Sequence, residues 1–90
     1  GKKTKYNNLL NFNTMNAKRR KEVMAIMDSL EELRERIECV QSEEEEAYEN
    51  MPEGLQDSER GEQMQEYISN LEDAASSVQD SIDYLNEIFG

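Results

Sequence analysis

The sequence predicts an all-α fold, an antiparallel two-helix hairpin of coiled-coil type, on three observations. Apolar residues recur in alternating steps of three and four over two long stretches. The first is Val23, Ile26, Leu30, Leu33, Ile37 and Val40, continued by Glu44 and Ala47; the second is Met64, Ile68, Leu71, Ala75, Val78, Ile82, Leu85 and Phe89. A single proline, Pro52, stands between them with Gly54 close behind. Folded at that point, Val23 meets Leu85, Leu30 meets Val78 and Val40 meets Ile68, and the residue numbers in each pair add to about 108. No stretch alternates with period two for long enough to suggest a strand.

Taken in order, residues 1–13 are a basic N-terminal arm without a sustained period, although Tyr6, Leu9, Leu10 and Phe12 are too apolar for a free tail. The hairpin occupies residues 14–90. Asn13, Thr14 or Asn16 can cap the first helix by accepting a backbone N–H. That helix is expected over about 15–50, ending where Pro52 removes a donor and pushes Met51 out of helical space. A loop of about 51–57 follows. Asp57 or Ser58 can cap the second helix, expected over about 58–89, with Glu59 and Glu62 suited to its positive end. Gly61 in that first turn weakens it, so its start is expected to fray. Gly1 is set aside, since native chains begin with Met.

The charge is unevenly placed. Residues 1–21 hold seven Lys or Arg and no acid, whereas residues 22–90 hold three Arg against all 21 acids. An acidic body makes direct nucleic-acid binding and contact with an anionic membrane unfavourable. No run reaches the ~18 apolar residues of a membrane span, and none reads as a signal peptide. Cys39 is the only cysteine, so a disulfide framework is excluded within the chain and a cytoplasmic setting is expected. In the first ladder Cys39 falls outside the seam, as a bystander thiol would.

Chemistry is limited by what is missing. With no His in the chain, nucleophile–His dyads, Glu-x-x-His metal pairs and His proton shuttles are excluded. No glycine-rich phosphate loop is present. The expectation is a protein that is not an enzyme, with no cofactor, no metal and no small-molecule substrate. Glu43-Glu44-Glu45-Glu46 does not suggest a calcium site, because successive helical residues point in different directions. Glu44, on the seam where Arg60 could reach it, either snorkels to water or specifies register at some cost in stability.

Lys18-Arg19-Arg20-Lys21 has two readings: a contact for nucleic acid or an acidic partner, or neutralisation of Asp83 and Glu87, which the pairing rule places alongside. Beside the seam, Met24, Met27, Tyr67, Tyr84 and Ile88 widen the apolar stripe beyond what two helices need, toward a three- or four-helix bundle. Each helix of a lone hairpin buries only one stripe, so cover is expected from a second copy, from the N-terminal segment or from a partner.

The loop and its flanks, Glu44-Glu45-Glu46-Ala47-Tyr48-Glu49-Asn50-Met51-Pro52-Glu53-Gly54-Leu55-Gln56-Asp57-Ser58-Glu59-Arg60, carry a resemblance. The pattern resembles a family of small acidic helical-hairpin proteins from bacteria and phages, in which an acidic helix end runs into Asn-(Met/Leu)-Pro-Glu and then a Gln-x-Ser-Glu-Arg helix start. It covers roughly residues 16–88. That family has no settled activity, so the resemblance implies a bacterial or phage setting and transfers no functional residue.

The leading functional expectation is a non-catalytic interaction or scaffold module with a protein partner, self-associating, a dimer favoured, through Met24, Met27, Tyr67, Tyr84 and Ile88. The alternative is an acidic DNA-mimic inhibitor of a nucleic-acid-binding host-defence protein, of anti-restriction or anti-CRISPR type. Its carboxylates would be Glu43, Glu45, Glu46, Glu49, Glu72, Asp73 and Asp80. A regulator that binds nucleic acid through the basic arm is a third option.

Overall fold

The computed structural model describes residues 15–90, so the arm of residues 1–13 and the candidate caps Asn13 and Thr14 lie outside the described residues. Helix α1 spans Ala17–Glu49, a four-residue helix α2 spans Glu53–Gln56, and α3 spans Glu59–Asn86 before a 3-10 turn, Glu87–Phe89. The two long helices pack antiparallel and the described residues contain no strand. The described residues measure 15 × 13 Å across, the width of one helix pair.

Helix α1 starts because Asn16, in extended conformation, accepts the Arg19 N–H at 2.9 Å. Arg20 folds back and donates to the Met15 carbonyl at 2.6 Å. The helix stops at Asn50 as Pro52 requires. The connection is more ordered than a loop, because Leu55 and Gln56 both donate backbone N–H groups to the Pro52 carbonyl and so form α2.

The last carbonyls of α1 need donors, and Gln56 supplies them. Its side-chain amide donates to Tyr48 O at 3.1 Å and Met51 O at 3.2 Å, so α2 closes the end of α1. Replacing Gln56 by Ala should lower stability by about 1 kcal/mol, or about 4–8 °C in Tm. Gln56→Glu should do worse, since a carboxylate would face carbonyls at the negative end of α1. A thermal melt in which the Glu variant matches the parent would refute this role.

Ser58 begins α3. Its Oγ donates to the Leu55 carbonyl and accepts the Gly61 N–H at 3.4 Å. Gly61, the residue expected to weaken this start, is buried against the turn. A Cβ there would lie 2.1 Å from Gln56 O and 2.8 Å from Leu55 O. Glycine permits the close approach that seats α2 on α3.

The second ladder stands as read. Met64, Ala75 and Ile82 are buried, Ile68, Leu71, Val78 and Leu85 are half-buried, and Phe89 lies at the open end. The first ladder is rotated. Val23, Leu30, Ile37 and Glu44 are half-buried as expected, but their partners in the seam are Met27, Arg34, Gln41 and Tyr48. Ile26, Leu33 and Val40 stay 42%, 45% and 50% exposed. Relative to the expected face, α1 has turned by about 50°, half the step between successive residues.

The register has moved with it. Gln65 donates to the Tyr48 hydroxyl at 2.9 Å, while Met24 and Met27 share a concavity with Asn86 and Phe89. The numbers of the bonded pair Tyr48 and Gln65 add to 113, not 108, and the shared lining by Met24, Met27, Asn86 and Phe89 agrees with that sum, a slip of about 1.4 turns. Lys18–Lys21 therefore extend past the end of α3. The pairing of that run with Asp83 and Glu87 is not formed; the ion pairs between described residues are those of Arg34 with Glu31 and Glu38. Glu44 is half-buried and makes no ion pair with Arg60.

Candidate interaction surface

Alternating steps of three and four leave each helix with a flank on either side of its seam. One side of the hairpin is polar. Glu45 and Glu49 of α1 share a concavity with Gln65, Ser69 and Glu72 of α3, and Met24 shares another with Asn86. Glu31 and Glu38 continue this side and hold the Arg34 guanidinium at 4.0 and 3.6 Å.

The opposite flanks must then share the other side. On α1 this side carries Ile26, Leu33, Val40 and Ala47, one heptad apart, with Glu22, Ser29, Arg36 and Glu43 along its outer edge. On α3 it carries Tyr67, Asn70, Ala74, Ser77, Ser81, Tyr84 and Ile88, again in steps of three and four and without a charge. Ile88 is half-buried and the other six are exposed. The surface is apolar at both ends and small in the middle, where Ala74, Ser77 and Ser81 leave the α3 backbone close to the outside. A mixed, charge-poor surface with small central residues suits a second helical layer.

The five residues expected to form one interaction face do not all share it. Tyr67 and Ile88 lie on the charge-poor side, and Tyr84, 72% exposed, stands next to Ile88 one turn away. Met24 is on the polar side, and Met27 is half-buried in the seam. The members missing from that expectation are Ile26, Leu33 and Val40, which a strict apolar ladder assigns to the core.

The seven acidic residues divide as well. Glu45, Glu49 and Glu72 gather on the polar side. By helical spacing, Glu46, Asp73 and Asp80 point away from the seam and Glu43 lies on the edge of the other side. No group of acidic or thiol side chains among the described residues could hold a metal ion. Cys39 is exposed, and no described helix is long and apolar enough to cross a membrane.

Seam and flanks together define an elongated helical hairpin with one charged side and one charge-poor side. Compared with known proteins, the chain matches no family model, no curated protein and no solved structure.

Proposed function

We propose that this protein is a non-catalytic helical interaction module that self-associates through the Ile26–Leu33–Val40 side of the hairpin. The observation that carries the reading is where α1 spends its apolar residues. Its seam accepts Arg34 and Gln41, while Ile26, Leu33 and Val40 remain at the surface. A row of exposed apolar residues on one side of a small protein, beside seam positions given to polar ones, supports an interaction surface there. A cytoplasmic, bacterial or phage setting belongs to the same proposal, on the resemblance carried by the loop.

The test is a double substitution, Leu33→Glu with Val40→Glu. Both side chains are about half exposed, so helicity should survive while sedimentation at micromolar concentration changes from dimer to monomer. A parent protein that sediments as a folded monomer would refute self-association.

The DNA-mimic reading rests on the acidic polar side. Carboxylates a heptad apart on one helix, such as Glu31, Glu38 and Glu45, are separated by about 10 Å. Duplex phosphates supply one charge per ~1.7 Å of axis. The row is much sparser than the polymer it would imitate, which places this reading second. It requires salt-sensitive binding to a DNA-binding protein that DNA competes away.

A further inference from the structure

Which way two copies lie is open to argument from the charge distribution, given the self-association proposed above. The loop end of the hairpin, residues 43–66, holds ten carboxylates and one cation, Arg60. The other end carries Lys18, Arg19, Arg20 and Lys21 on a stretch of α1 that overhangs α3. These four cations make no ion pair with a described acid. The loop end is thus strongly acidic, whereas the other end sets its basic turn against Glu22, Asp28, Asp80, Asp83 and Glu87 and is close to neutral.

We infer that the occupant of the charge-poor side is a second copy of this chain laid antiparallel, so that each overhanging Lys18–Lys21 turn lies level with the acidic loop end of the other copy. The alternatives are worse in charge. A parallel pair would bring two sets of ten carboxylates together and leave both basic turns facing each other. Like charges brought together at an interface oppose association, whereas opposite charges favour it and guide encounter.

The surface has the length and area for it. From Ile26 to Ala47 is about 32 Å of helix at 1.5 Å per residue. Two helices wide, the side offers about 600 Å² per copy, so the pair would bury about 1,200 Å², at the lower limit of stable interfaces. Its midpoint falls near residues 36–37 of α1 and Ser77 of α3, and a two-fold axis there sets the small residues of the two α3 helices at the same level. Large side chains, Tyr67 and Ile88, then come level with each other across the pair. The result is a four-helix bundle in which the polar sides face outward.

Gly54 offers a way to read the orientation, because nothing lies within 4 Å of the position its side chain would take. In a Cys39→Ser background, Gly54→Cys carries one spin label at the loop end of each full-length chain. Electron–electron dipolar distances should then exceed ~50 Å, roughly the length of α1. A label separation under ~30 Å means a parallel pair and overturns the inference while leaving self-association standing. A dimer that survives Leu33→Glu with Val40→Glu unchanged assigns the interface to another face and also overturns it. A monomer by sedimentation, including one whose residues 1–14 protect Ile26 and Leu33 from exchange, removes the self-association reading itself.

Discussion

Substituting Gly61 by alanine should cost about 2–3 kcal/mol, equivalent to a fall in Tm of about 10–20 °C for a domain of this size. In most helices the same change is favourable, because alanine has the higher helical propensity. Here the added methyl would approach Gln56 O to 2.1 Å and Gln56 C to 2.6 Å. Both are backbone atoms of α2, so no side-chain rotation relieves the clash. The turn must instead move off α3, and with it the Gln56 amide that closes α1. Gly54 is the internal control. It lies inside α2 with open space around it, so Gly54→Ala should be neutral or stabilising by up to about 1 kcal/mol. Thermal melts of the two variants at one protein concentration decide the matter. Equal and small effects would mean that the Gly61 approach does not hold the turn.

The hairpin was legible from α3 and ambiguous from α1, for a physical reason. Every seam position of α3 from Met64 to Leu85 is apolar, so only one face of that helix can be inner. On α1 two faces compete, and they share Val23, Leu30 and Ile37. One adds Ile26, Leu33 and Val40; the other adds Met27, Arg34, Gln41 and Tyr48. Apolarity alone selects the first, and the folded chain uses the second. Periodicity detects a stripe but does not say which neighbour covers it. A stripe reserved for a second layer looks the same as a seam. The best available signal was the apolar width itself, which exceeds what one partner helix needs.

The register slip has the same origin and a functional consequence. Pairing rungs from the wrong α1 face brought Lys18–Lys21 beside Asp83 and Glu87, which made the basic run an internal neutraliser. With Tyr48 hydrogen-bonded to Gln65, α1 slides about 1.4 turns and the run overhangs. Its charge is then available to something outside the hairpin. Gly61 differs for another reason: a glycine in a first turn signals weak helix locally, and only the returning backbone of α2 shows it to be a contact. Both differences concern tertiary neighbours, while caps and breakers, which act locally, were readable at Asn16, Pro52 and Ser58.

The second large effect is expected with the opposite sign. Arg34→Leu should raise stability by about 1–2 kcal/mol, or about 4–8 °C per kcal/mol. Arg34 occupies a seam position between Leu30 and Ile37, level with Val78, and its side chain is only 24% exposed. Its Nε is buried with no hydrogen-bond partner, a condition that costs about 1–3 kcal/mol. Against that stand two contacts to Glu31 and Glu38, at 4.0 and 3.6 Å, on carboxylates that are more than half exposed. Such pairs contribute little in water. Leucine would fill the seam without an orphaned donor, and Arg34→Met, which keeps the length of the stem, should recover much of the gain. If the Leu variant melts below the parent, the guanidinium is stabilising and this account of the seam is wrong. The gain should also carry a loss. A charged residue in one seam layer restricts which partners and alignments that layer accepts. With Arg34 gone the seam of α1 becomes nearly as apolar as its outer side, so the two faces that compete in the sequence would compete in the folded protein. Sedimentation of Arg34→Leu should therefore show a broader range of species than the parent, at higher melting temperature.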